Sequence, residues 1–233
     1  MNLNDLYENR KNFYLKVSST ANGGLIFCLL AGIGAFAAGI SMDANRAWGA
    51  FLFNLFFFYT IALGGVAFGA MQDVVGAVWG RPIKRIHESF SSFLLPASVL
   101  LIAFLLFIKF RLLGAQNVYS WIADPQMLTH FEGKNIWLVE NFMIIRDIVA
   151  ILAILLLSRW HMKQTTARDL AFIAGDEKKS KELGNLAKER LRFWSAPILF
   201  LYGCFFSLLC FDLTMSLEPL WFLLFGVDGL LLL

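Results

Sequence analysis

Glu140, Arg146 and Asp147 are ionisable residues in a stretch, Ile136–Trp160, whose other residues are almost all apolar. A run of about 20 apolar residues is long enough to cross a bilayer as a helix. An ionisable side chain inside such a helix is energetically expensive, and this cost makes it a candidate for function. These three side chains are therefore the first candidates for chemistry.

The spacing of the three residues sorts them into two faces of the predicted helix. Glu140 and Asp147 are seven residues apart, so they lie within about 20° of each other and roughly 10 Å apart along the axis. Two carboxyls along one face suit a proton path, with Glu140 shallow and Asp147 near the middle of the membrane. Arg146 points about 100° away and is expected to meet a carboxyl on a neighbouring helix. A structural Arg–Asp pair is the alternative to a proton or quinone site.

Three further polar residues join the candidates. Asp212 lies at the end of a later apolar run, and Glu218 follows it. Both are either interfacial residues in water or, with Glu140, part of an acidic mouth on the outer side. Asn54 is a weaker candidate, because an Asn in a membrane helix often bonds one helix to another. Its alternative role is on the quinone side of a binding site.

The composition predicts an all-α integral membrane protein. Of the 233 residues, 58% are hydrophobic and only 16% are charged, against about 25% charged in soluble domains. A bundle of about six transmembrane helices is expected, with spans at 24–40, 48–71, 93–108, 136–158, 193–212 and 219–233. The remaining segments are a tail at 1–23, loops at 72–92 and 109–134, and a loop at 159–192 that holds a short surface helix.

The distribution of Lys and Arg predicts the orientation of the bundle. Three lie in the N-terminal tail, three in residues 72–92 and nine in residues 158–193, so 15 of the 20 fall on one side. Only four lie in the alternate loops. Because positive residues favour the cytoplasmic side, the N-terminus and the loop 159–192 are predicted to be cytoplasmic.

The cysteines and histidines argue against a bound metal or haem. The chain has Cys28, Cys204, Cys210, His87, His130 and His161. The cysteines form no CxxC or CxxCH pattern, which argues against zinc, iron–sulfur and c-type haem sites. The histidines are expected in loops or at helix ends, where they are poorly placed to ligate haem inside a bundle. The basic loops are interleaved with acidic residues, so no nucleic-acid partner is predicted either.

Four stretches together resemble a known family. They read RAWGAFLFNLFFFYTIALGGVAFGAMQ (46–72), VWGRPIKRIHESF (78–90), ENFMIIRD (140–147) and RFWSAPILFLYGCFFSLLCFDLTMSLEPLWF (192–222). They are similar to the quinone-binding-type membrane subunit of bacterial alternative complex III. That family is related to the NrfD-like, or polysulfide-reductase-type, membrane anchors.

The resemblance implies a setting for the candidate residues. It implies a multi-pass subunit of the bacterial inner membrane in a quinol:cytochrome c oxidoreductase, with iron–sulfur, multihaem cytochrome c and other membrane subunits as partners. Menaquinol would be oxidised by the complex. Asp147 and Glu140 would serve proton transfer with Arg146 as their partner, and Asp212 and Glu218 would form an outer gate. The family has about ten spans, so this chain resembles its first half, and the apolar run ending at residue 233 leads us to expect a truncated chain or an altered C-terminus. A secondary transporter and a purely structural anchor are the alternatives.

Overall fold

The computed structural model describes residues 18–77, 79–124, 137–173 and 177–217, and this part of the chain is helical, without strands. Six helices organise it: α1 (Ser19–Met42), α2 (Ala44–Val75), α3 (Arg81–Ser89), α4 (Leu94–Lys109), α5 (Glu140–Ile173) and α6 (Glu177–Leu213). Short 3-10 segments at Phe90–Phe93, Leu112–Val118 and Met215–Leu217 and a single turn at Ser120–Ala123 complete the described elements.

Five stretches of the described chain are long and apolar enough to cross a membrane, as in a multi-pass membrane protein. They are Ser19–Met42, Ala44–Val75, Ile83–Lys109, Glu140–Asp169 and Gly184–Leu217. The third stretch joins the end of α3 to α4 through the 3-10 turn between them. The sixth predicted span, 219–233, lies outside the described residues.

Capping residues set both ends of α2. Asp43 is the only residue between α1 and α2, and its carboxylate accepts from the backbone N–H of Arg46 at 3.1 Å. A side-chain acceptor at this position satisfies one of the free N–H groups of the first helical turn. At the other end Gly76 adopts φ 68°, the left-handed conformation that glycine allows without steric cost. The chain can therefore turn sharply on both sides of this helix.

The spanning helices bury one core. The most extensive contact is between α5 and α6, and α2 packs against α6, α4 and α1. We call the end of the bundle where α2 begins the Asp212 end, because α6 brings Asp212 there. The opposite end, where α2 terminates, is the basic end. It carries Lys84, Arg85 and Arg168.

Two segments predicted as loops are largely helical. Residues 72–92 contain the last turn of α2, all of α3 and part of a 3-10 turn. The predicted loop 159–192 is occupied mainly by the continuation of α5 to Ile173 and the start of α6 at Glu177. A short surface helix was expected within 159–192, but the helical part is longer than expected, and residues 72–92 were predicted as a loop from their polarity. Polar residues such as Lys, Glu and Arg are good helix formers, so polarity does not exclude a helix.

Helix α3 packs closely on α2 at two glycines. A Cβ atom at Gly65 would overlap the backbone carbonyl oxygen of His87, and one at Gly69 would lie 3.3 Å from Glu88 Oε1. The ring nitrogen Nδ1 of His87 also lies 2.9 Å from the carbonyl oxygen of Gly65. Helix α3 therefore packs against the GxxxG motif formed by Gly65 and Gly69. This close approach places the charged residues of α3 at the basic end.

Candidate functional site

Arg146 forms a buried ion pair with Asp212 across α5 and α6. Its Nε donates to Asp212 Oδ2 at 2.8 Å, and the two side chains are 10% and 1% exposed. The indole nitrogen of Trp137 donates to the other carboxylate oxygen at 3.1 Å. The guanidinium also lies 3.8 Å from the centre of the Trp137 ring. Asp212 is thus bound by two donors and is not the water-exposed interfacial residue that was one prediction.

Asp147 lies beside this pair without a donor of its own. It is fully buried, and no N–H or O–H group of the described residues donates to either of its carboxylate oxygens. Its carboxyl lies close to that of Asp212. Two ionised carboxylates can only accept, but one proton held between them creates a donor and removes a charge. We call Trp137, Arg146, Asp147 and Asp212 the Asp212 cluster.

Tyr119 is a buried residue near the Asp212 cluster. Its hydroxyl donates to the backbone carbonyl of Leu213 at 3.0 Å, just beyond Asp212 in the chain. Burial, together with the nearby Asp147 and Asp212, raises the pKa of Tyr119 well above its usual range. The phenol therefore stays protonated and is a fixed donor to the backbone.

Glu140 is not part of the Asp212 cluster. It lies in the first turn of α5, is 27% exposed, and faces Arg111 at a distance of 3.9 Å. Glu140 and Asp147 therefore lie in different surroundings, one partly exposed and one buried. Glu218, the other predicted member of an acidic mouth, lies outside the described residues.

Asn54 makes no bond between helices in the described part of the chain. Its amide nitrogen donates to the carbonyl of Ala50, one turn earlier in α2, at 2.8 Å. The side chain is exposed and lines an apolar groove between α1 and α2. The expected role as interhelical glue is therefore not what the described contacts show.

A second, larger polar cluster lies at the basic end. Asp73 at the end of α2 accepts from Lys84 on α3 and, at 3.1 Å, from Arg168 on α5. The imidazole of His161 is fully buried, and its Nε2 lies 3.7 Å from Asp73 Oδ2. Neither ring nitrogen of His161 has a hydrogen-bond partner in the described structure.

Arg85 extends this cluster toward the surface. It pairs with Asp169, which also binds Arg168, and its NH1 lies 2.9 Å from Glu88 Oε2. A further bond at 3.1 Å reaches the backbone carbonyl of Thr165. The set of Asp73, Lys84, Arg85, Glu88, His161, Arg168 and Asp169 is called the basic-end cluster. It joins α2, α3 and α5.

None of these seven residues was among the predicted site residues. The basic ones were interpreted as topology signals, and His161 was expected at a helix end. The structure places His161 inside α5, fully buried, so that expectation was wrong. A signal was present in the sequence, because Asp147, Ser158, His161 and Thr165 recur at helical spacing and all four are buried.

Comparison with known protein families finds no family that matches this chain. A search of curated proteins finds no similar sequence either.

Proposed function

We propose that this chain is an integral membrane protein that holds and transfers a proton at the Asp212 cluster. The observation that carries the proposal is the buried Asp147 carboxyl, which lies beside Asp212 and has no donor among the described residues. With both carboxyls ionised, Arg146, Asp147 and Asp212 sum to one negative charge in a buried site. One proton makes the sum zero and supplies the missing hydrogen bond.

The proposed redox setting is quinol oxidation in a respiratory complex of the bacterial inner membrane. What supports this part is the sequence resemblance to the quinone-binding-type membrane subunit of alternative complex III and to NrfD-like anchors. In this setting the chain binds no haem, and partner subunits supply the iron–sulfur and c-haem centres. Quinol oxidation releases protons, and a membrane protein with a buried carboxyl pair can accept them.

A structural anchor is the second candidate, and the Arg146–Asp212 pair favours it. A buried ion pair that joins α5 to α6 fixes the packing of the two helices without any proton transfer. The two roles differ at Asp147, because only the proton role needs a titratable group at that position.

Infrared spectroscopy of the purified chain tests the proton directly. A protonated carboxyl gives a C=O band that is distinct from the carboxylate bands and shifts in deuterium oxide. We expect such a band at neutral pH in the wild type and its loss in Asp147→Asn, with no change in Glu140→Gln. A wild-type spectrum without this band would refute the proton site.

The redox setting has its own test. The chain, tagged and purified from its native membrane in mild detergent, should carry haem-bearing partners that quinol reduces. In that complex Asp147→Asn should lower quinol-dependent turnover. Turnover that is unchanged in both Asp147→Asn and Glu140→Gln would leave the structural anchor as the function.

A further inference from the structure

A polar cavity of about 160 Å³ opens at the basic end of the bundle, lined by α2, α3, α5 and α6. Its charged lining consists of Lys84, Arg85, Arg168, Lys188, Asp73 and Asp169. Four cations thus face two carboxylates. The cavity is formed by residues at the opposite end of the bundle from the Asp212 cluster, so it is a separate site.

Two of the lining groups have unused donors. Lys188 has no carboxylate partner in the described structure, whereas the other three cations each pair with at least one. The side-chain amide nitrogen of Gln72 is buried and has no acceptor among the described residues. Buried amide donors are nearly always satisfied in folded proteins, so an unpaired one points to a missing acceptor.

The charge balance specifies the acceptor further. Glu88 lies behind the lining and neutralises part of it, so the basic-end cluster has three cations and three carboxylates with His161 neutral. Lys188 adds one uncompensated positive charge. A group with one negative charge and several acceptor oxygens fits both the charge and the unused N–H donors.

We propose that this cavity binds a phosphate group, and that its source is the phosphodiester of an anionic phospholipid. The cavity lies where the apolar part of α2 ends at Val75, the depth at which lipid headgroups meet a membrane protein. Basic pockets between membrane helices commonly bind anionic headgroups. Inorganic phosphate presents the same oxygens and is the other source of this chemistry. The proposal is independent of proton transfer and of quinol oxidation.

Thermal unfolding of the detergent-purified full chain tests the proposal. Phosphatidylglycerol, phosphatidylcholine and inorganic phosphate are titrated separately, at constant ionic strength. We expect phosphatidylglycerol to raise the unfolding temperature more than phosphatidylcholine. In Lys188→Gln the apparent affinity should fall about fivefold, the effect of one cation near an anionic headgroup. Gln72→Glu, which replaces the amide donor by an oxygen, should weaken binding as well.

Lys163→Gln is the matched control, because Lys163 is an exposed lysine of α5 that does not line the cavity. It should bind phosphatidylglycerol like the wild type. A response to inorganic phosphate that Lys188→Gln weakens would assign the site to free phosphate and support the phosphate chemistry. Equal responses to both lipids with none to phosphate, or equal losses in Lys188→Gln and Lys163→Gln, would overturn the proposal.

Discussion

The two polar clusters of the bundle balance their charges in different ways. In the basic-end cluster three carboxylates face three cations, and each carboxylate lies within 4 Å of at least one of them. In the Asp212 cluster two carboxylates face one cation, and the described contacts leave one carboxylate without a donor. The first cluster is neutral through ion pairs, whereas the second carries one negative charge unless it holds the proposed proton.

This difference confines the proposed proton transfer to the Asp212 end. Ion pairs that neutralise each other join helices and do not need to exchange anything with water. A cluster that is one positive charge short has a state with a proton and a state without it. The free-energy difference between the protonated and the deprotonated cluster depends on pH, so a neighbouring reaction that releases or consumes protons can convert one state into the other. We therefore expect substitutions at the basic end to alter packing, and substitution of Asp147 to alter proton occupancy.

Asp212→Ala should have the largest effect on stability. It leaves the guanidinium of Arg146 buried without its carboxylate, and breaking a buried ion pair from one side costs about 3–5 kcal/mol. The measurement is the free energy of unfolding of the detergent-purified chain.

Glu140→Gln is the matched control for that substitution. The carboxylate of Glu140 lies 3.9 Å from the guanidinium of Arg111, whose side chain is 60% exposed. An exposed ion pair contributes only about 0–1 kcal/mol to stability. Equal losses in the two variants would show that the Asp212 pair is no more buried than the Glu140 pair.

Asp73→Asn should cost less than Asp212→Ala, about 2 kcal/mol. Lys84 keeps Glu88 at 3.7 Å and Arg168 keeps Asp169, so neither cation becomes unpaired. Asp169→Asn is the comparison, because its carboxylate is 40% exposed and should contribute no more than about 1 kcal/mol. A larger loss for Asp169→Asn than for Asp73→Asn in unfolding experiments would contradict the buried position of Asp73.

Gly65→Ala should destabilise the basic end through packing alone. The new methyl group would overlap the carbonyl of His87, and overpacking costs about 1–3 kcal/mol. Gly64→Ala adds the same methyl group where nothing lies within 4 Å, and it should be nearly neutral. The measurement is the free energy of unfolding of the two variants. Equal values would mean that α3 does not pack on α2 at Gly65.

The helical fold of the described residues and the buried position of Asp147 could be predicted from the apolar runs. The partner of Arg146 could be predicted only as a carboxyl on another helix, because spacing gives the face of a helix and not its neighbour. The basic-end cluster was missed for a related reason. Lys84 is as polar as a loop residue, and the approach of α3 to Gly65 and Gly69 places it in the interior beside Asp73, where its side chain is 5% exposed.

Asp147→Asn should have the smallest effect on stability and is the sharpest test of the comparison. If Asp147 holds a proton, the Asn amide replaces one neutral donor to Asp212 by another, and unfolding changes by no more than about 1 kcal/mol. If Asp147 is ionised, the same substitution removes an uncompensated buried charge, and stability should rise by several kcal/mol. The sign and size of this one change in unfolding free energy therefore report the proton. A large increase would make the Asp212 cluster a strained structural pair, and the difference between the two ends would then concern packing and not proton occupancy.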